Sequence, residues 1–172
     1  YSDAHRFGFA PGESAAGLRR QAAAFAYKAI ELAPNSSRGY HALGLAHWSM
    51  QNVDASLRAL EGALALNPNA TEIMADLGLH WALLADWDRG VPLLEEAFAR
   101  SPALPGTHRI GLSLYHFANG RFGQALAEAA QIRALHIAQA FVAPAISLVR
   151  LGRNDEAATA VRLVLDVAPF SS

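Results

Sequence analysis

The 172-residue chain contains no cysteine. Disulfides, zinc–thiolate centres and thiol nucleophiles are thereby excluded, while the redox compartment is left open. Neither sign of charge is in excess: 14 Lys and Arg stand against 15 Asp and Glu, a formal net charge of -1. A balance of that kind lacks the electrostatic footprint of a nucleic-acid binder. Long hydrophobic runs are missing too. The longest charge-free stretch, residues 134–149, carries His136, Gln139, Pro144 and Ser147. It is shorter than the ~18–20 residues that a membrane-spanning helix needs. It reads instead as the end of one buried helix and the start of the next. The sequence opens on Tyr1 with neither a start methionine nor a signal-peptide pattern. This is expected of a piece of a longer protein, with any membrane anchor outside it. The cytoplasm is the expected compartment, the periplasm the alternative.

What is present is apolar and helix-forming. Hydrophobic residues make up 52% of the chain, and alanine is abundant, which favours helices. Two stretches match: ELAPNSSRGYHALG at residues 31–44 and ALNPNATEIMADLG at residues 65–78. Pro34, Pro68 and Pro102 recur at intervals of 34, Leu43 and Gly44 map onto Leu77 and Gly78, and Leu60 and Ala63 map onto Leu94 and Ala97. Repetition at such a period marks units that bury their faces against their neighbours. Within a unit the apolar spacing is helical: Tyr40, Leu43, Ala46 and His47 share one stripe, and Leu57, Leu60 and Leu64 another. The polar breaks at Gln51-Asn52 and Asp86 divide each unit into two helices. Pro34 and Pro68 then stop the second helix, because proline cannot continue the ladder and restricts the residue before it. The small Gly44 and Gly78 let paired helices approach closely.

These residues resemble the tetratricopeptide repeat family, whose unit is a 34-residue helical hairpin. The unit from Ser37 supplies Tyr40, Leu43, Gly44, His47, Ser56, Leu60, Ala63 and Pro68; the unit from Thr71 supplies Met74, Leu77, Gly78, Trp81, Gly90, Leu94, Ala97 and Pro102. Two looser units follow. Gly120, Phe122 and Ala125 match in the third, where Ile137 replaces the closing proline and Gly111 lies two residues further from its turn than Gly44 and Gly78 do. Gly152, Asn154, Ala157 and Pro169 match in the fourth. The resemblance implies an all-α, right-handed α-solenoid of about nine helices. Residues 1–13 are expected to form an extended arm in which Phe7 and Phe9 cap the end of the stack or lie along a groove. A single domain, 14–172, follows: a lone helix at 14–34, then hairpins at 37–70, 71–104, 105–137 and 138–170.

Chemistry finds little purchase. His41 and His47 lie on different helix faces, and His108 and His116 are ~12 Å apart along a helix, too far to share an ion. No metal site and no cofactor is therefore expected. The serines are caps or loop residues outside any nucleophile elbow, and Gly120, Gly123 and Gly152 are separate turn glycines rather than a phosphate loop. The chain reads as a non-enzyme.

By the same resemblance, the first helix of each hairpin lines a concave groove that binds a protein or peptide. The positions that carry over are Arg38, His41, Leu45 and Trp48, then Leu79, then Leu114 and Phe117, then Ile146 and Arg150. The lysine and asparagine that chaperone-binding members use are absent, and an apolar row of Leu45, Leu79, Leu114 and Ile146 points to a hydrophobic or amphipathic helix or peptide. The last helix is apolar on nearly all sides, so Val161, Leu165 and Phe170 are expected at an interface, such as that of a homodimer. The function expected is protein–protein scaffolding. The alternatives are a regulatory or sensory tail of a bacterial signalling or transcription protein, and the substrate-positioning arm of an enzyme.

Overall fold

A computed structural model describes residues 14–132 and 139–167. All regular structure among them is helical. The elements are α1 (Ala15–Leu32), α2 (Ser37–Ser49), α3 (Val53–Leu66), α4 (Thr71–Leu83), α5 (Trp87–Arg100), a 3₁₀ turn (Gly106–His108), α6 (Arg109–Ala118), α7 (Phe122–Ala129), α8 (Gln139–Arg150) and α9 (Asn154–Val167). The chain divides into two compact units, Tyr1–Ile73 and Met74–Ser172.

Two kinds of junction set where helices stop. The first is the proline stop. α1, α3 and α5 each end two residues before Pro34, Pro68 or Pro102, and the residues between, Ala33, Asn67 and Ser101, share one geometry: φ -144, -142 and -140 with ψ 78, 84 and 85. This extended backbone follows from the clash of a proline ring with a helical residue before it. Each N–H still reaches back into the helix, to the carbonyl of Ala29, Ala63 or Ala97.

The second junction lies inside each hairpin. Gln51, Ala85, Gly120 and Gly152 have left-handed backbone, with φ 60, 60, 69 and 74. In the first, the Gln51 N–H donates to the Trp48 carbonyl and the Asn52 N–H to the His47 carbonyl. The same bonds recur from Ala85 to Ala82 and Asp86 to Trp81, from Gly120 to Phe117 and Arg121 to His116, and from Gly152 to Val149 and Arg153 to Leu148. These are Schellman turns, which satisfy the last carbonyls of a helix and reverse the chain. Each next helix begins two residues later.

Paired helices meet where both carry a small residue. Gly44 faces Ser56, Gly78 faces Gly90 and Ser113 pairs with Ala125; Ala145 and Ala157 have the same spacing of twelve in the fourth hairpin, and all eight are buried. A Cβ on Gly44 would lie 2.6 Å from Leu60 Cγ, and one on Gly90 would lie 2.7 Å from the Ala82 nitrogen. Ser56 Oγ donates to the Gly44 carbonyl at 2.8 Å, and Ser113 Oγ to the Ala125 carbonyl at 2.9 Å.

In the third hairpin, therefore, Ser113 and not Gly111 takes the position of Gly44 and Gly78. The glycine fits another need: a Cβ on Gly111 would meet Leu94 Cδ1 at 2.7 Å and Ala82 Cβ at 2.9 Å. The interval from Pro102 to Gly120 is one residue longer than from Pro68 to Ala85, and the extra residue falls where the chain enters α6 through the 3₁₀ turn. Ile137, in place of a third closing proline, lies outside the described residues.

The first unit's core joins Ala23 and Ala26 of α1 to Leu43 and Ala46 of α2 and Ala59 of α3, with Ile30 and Met50 packed against it. In the second, Leu94, Ala97 and Ala125 are fully buried between their neighbours, as Leu60 and Ala63 are in the first. Burying a leucine contributes about 1.5–3 kcal/mol relative to exposure, so Leu60 and Leu94 anchor their hairpins.

Candidate functional site

The first helices of the hairpins, α2, α4, α6 and α8, carry the expected groove residues. Leu45, Leu79, Leu114 and Ile146 each follow by one residue the small residue of the helix pair, so they hold equivalent places. Trp48, Phe117 and Val149 hold another equivalent set, three residues later. Leu45 and Trp48 belong to the first unit; Leu79, Leu114, Phe117, Ile146 and Arg150 belong to the second.

In the second unit, Val142, Ile146 and Val149 fall at i, i+4 and i+7 on α8 and are 47%, 42% and 57% exposed. α8 packs on α6, where Leu114 and Phe117 are half-buried. Leu79 of α4 is also half-buried, and its Cδ1 would lie 3.5 Å from a Cβ on Gly111 of α6. Arg150 is exposed at the end of α8. Three aliphatic side chains on one helical stripe, open to solvent beside half-buried apolar neighbours, form a surface suited to an apolar contact.

The first unit is more polar at the corresponding place. Arg38 and His41 line a cleft of about 260 Å3 with Ser37, Asn67, Asn69, Thr71 and Glu72. Leu45 is exposed and Trp48 half-buried on the same helix. Arg38 and His41 were expected here from the family resemblance. Sequence reasoning did not see Asn67 and Asn69, which the Pro68 stop brings to the same rim.

His108, His47 and His116 make contacts within the fold. His108 is buried: one ring nitrogen lies 3.1 Å from the Pro105 carbonyl and the other 2.9 Å from Asp76 Oδ1. It thus ties α4 to the 3₁₀ turn. His47 Nε2 is 3.3 Å from the Tyr27 hydroxyl, and the His116 ring lies tilted at 44° to that of Tyr115, 5.4 Å between centroids. His47 and His116 both stand four residues before a left-handed turn residue, and the Nδ1 of each is buried without a hydrogen-bond partner. Burial, then the Arg121 guanidinium, lowers the His116 pKa from its ordinary value. Among the described residues no group of three or more His, Asp or Glu side chains is placed to hold a metal ion. Nor is any helix among them long and apolar enough to cross a membrane.

Other placements complete the comparison with the sequence. Val161 and Leu165 lie at i and i+4 on α9, both about half exposed; Phe170 lies outside the described residues, as do Phe7 and Phe9. Sequence reasoning missed the outer side of α1, where Phe25 is 69% and Leu32 77% exposed. Its signal was present as Leu18, Ala22, Phe25, Ala29 and Leu32, spaced four and three apart along one helix.

Residues 37–70, the α2–α3 hairpin through the next proline stop, match the family model for the tetratricopeptide repeat. That hairpin is a tetratricopeptide repeat. The fold of the chain is that of solved α-solenoids of the same kind. A MamA structure labelled AMB-1 is 24% identical with a TM-score of 0.65, over 88% of this chain and 90% of that one. A MamA double mutant labelled RS-1 is 16% identical with a TM-score of 0.66, over 96% and 88%. YrrB, whose structure is described as a TPR protein with an unusual peptide-binding site, is 18% identical with a TM-score of 0.61, over 90% and 80%. No curated protein matches the chain in sequence.

Proposed function

We propose that this protein is a non-catalytic scaffold for protein–protein contacts, and that its second unit takes an apolar or amphipathic segment of a partner along α8 and α6. One observation carries the reading: Val142, Ile146 and Val149 stand exposed on a single stripe of α8, the helix that packs on α6 with its half-buried Leu114 and Phe117. A partner helix presenting residues at i, i+4 and i+7 matches that spacing and recovers about 25 cal/mol for each Å2 of apolar surface covered. Arg150 at the end of the stripe suits a carboxylate on the incoming segment. The fold shared with YrrB, a TPR protein with a peptide-binding site, supports the same class of function. Self-association through Val161 and Leu165 of α9 is the second part of the proposal, supported by their exposure at helical spacing.

Peptides selected from a displayed library against the intact protein provide the test. Binding measured by calorimetry should weaken at least about tenfold in Ile146→Glu and in Leu114→Glu, with helicity and melting unchanged in the exposed Ile146 variant. Selected peptides that bind both variants as well as the parent would refute the groove. For self-association, Leu165→Glu should convert a dimer to a monomer in light scattering; an unchanged mass would remove α9 from the proposal.

A further inference from the structure

We propose that Asn119 is a site of spontaneous covalent modification, held closed by the third hairpin turn and reacting when that turn opens. Asn119-Gly120 is the one Asn-Gly dipeptide in the sequence. In the other three turns Met50, Leu84 and Leu151 precede the left-handed residue and offer no side-chain amide carbonyl. Asn119 Cγ and the Gly120 nitrogen are separated by the bonds that close a five-membered ring, and glycine places no Cβ in the path of that nitrogen. Ala118, Asn119 and Gly120 are all exposed, so water reaches the ring once formed. The Gly120 nitrogen gives up its proton and bonds to Asn119 Cγ; the Cγ–Nδ2 bond breaks, and ammonia leaves with that proton. Water then opens the succinimide at one of its two C–N bonds. Opening at one leaves aspartate. Opening at the other leaves isoaspartate, with the main chain routed through the former side chain.

Three features of the folded turn hold the reaction back. Asn119 has ψ 12, so the Gly120 nitrogen nearly eclipses the Asn119 backbone nitrogen and the tetrahedral Cβ stands well to one side of it. The Gly120 N–H donates to the Phe117 carbonyl at 3.0 Å, which engages the nucleophile. The Asn119 Nδ2 donates to the Tyr115 carbonyl at 2.8 Å, which ties down the side chain and its leaving group. All three are local to an exposed turn, and such segments open at far lower cost than a core. Once modified, the turn does not re-form as before. Aspartate has no proton to give the Tyr115 carbonyl, and it brings negative charge to the C-terminal end of α6, where the helix dipole opposes it. Isoaspartate lengthens the main chain by a methylene between the Asn119 N–H, bonded to the Tyr115 carbonyl at 3.2 Å, and the Arg121 N–H, bonded to the His116 carbonyl at 2.8 Å. Either product therefore loosens the α6–α7 hairpin, and the change is not reversed by refolding.

The whole chain, aged in mildly alkaline buffer once as the native protein and once in urea that unfolds it, provides the test. Peptides are read by mass spectrometry with electron-transfer fragmentation, which separates isoaspartate from aspartate. Isoaspartate should accumulate at residue 119 ahead of every other asparagine in both samples, and at least about tenfold more slowly in the native one. Asn119→Asp, which installs one product directly, should lower the melting temperature by about 2–4 °C. Equal rates in the native and unfolded samples would show that the turn holds nothing back. A native Asn119 still unreacted when the unfolded chain has been modified at its other asparagines would show that the site is inert. Either result, or an Asn119→Asp variant as stable as the parent, would overturn the proposal.

Discussion

Replacing Ala85 by glycine should make the protein more stable, although the change removes a methyl group. Ala85 sits at the left-handed position of the second hairpin turn, with φ 60, where Gly120 and Gly152 occupy the third and fourth. An L-residue held in that region costs about 1–2 kcal/mol, because its Cβ crowds the following carbonyl. Glycine relieves this but gives the unfolded chain about 0.4–1 kcal/mol of additional conformational entropy. The difference leaves a net gain of about 0.5–1 kcal/mol for Ala85→Gly and, by the same reasoning, for Gln51→Gly. The reciprocal change is a control of opposite sign. A Cβ on Gly120 would meet nothing within 4 Å, so Gly120→Ala carries the backbone cost alone and should lose a similar amount. In a chain of this size each kcal/mol moves the melting temperature by about 2–4 °C. Urea titration followed by circular dichroism, with a melting curve beside it, reads both changes. A destabilised Ala85→Gly, or a neutral Gly120→Ala, would refute the claim that these turns share one strained geometry.

Further consequences concern the helix contacts and the histidines. Gly90→Ala pushes a methyl into the backbone of α4, 2.7 Å from the Ala82 nitrogen and 2.8 Å from the Gly78 carbonyl; it should cost about 3 kcal/mol, at the upper end of overpacking, seen as a lowered urea midpoint. Ser113→Ala removes the 2.9 Å bond to the Ala125 carbonyl in a buried contact and should cost about 1 kcal/mol, measured in the same way. The lowered pKa of His116 means that the unfolded chain takes up the proton first as pH falls. Stability should therefore decline as pH drops below the ordinary imidazole value of about 6.5, and level off below the folded value. In His116→Phe that decline should be shallower, which urea midpoints from about pH 7 to about pH 5 will read; an identical slope would show that His116 is not the group responsible.

How much of this was legible in the sequence depended on whether a residue's type or its surroundings fixed the geometry. The proline stops were legible because proline constrains its predecessor wherever it occurs, and Ala33, Asn67 and Ser101 all adopt the one shape that permits it. The turns at Gly120 and Gly152 were legible as glycines. Those at Gln51 and Ala85 showed only as a break in the apolar pattern, because the paired helices, rather than any local preference, hold these residues left-handed. Gly111 misled for a related reason. A glycine in a helix signals close approach without saying to what, and here it admits Leu94 and Ala82 while Ser113 makes the hairpin contact. The groove positions were expected only through the family resemblance, and the polar rim around Arg38 and His41 depended on the fold of the 67–70 segment. The apolar outer stripe of α1 was legible as the spacing of Leu18, Ala22, Phe25, Ala29 and Leu32, but its exposure was not, since a helix with two apolar sides gives the same letters whether one side is covered or both are.

The most direct test is to follow backbone amides during titration with an amphipathic peptide selected on the protein. Saturable shifts centred on Val142, Ile146 and Val149, extending to Leu114 and Phe117 and missing from Ile146→Glu, are the result the scaffold reading predicts. Shifts confined to other helices, or no saturation as peptide is added, would contradict it.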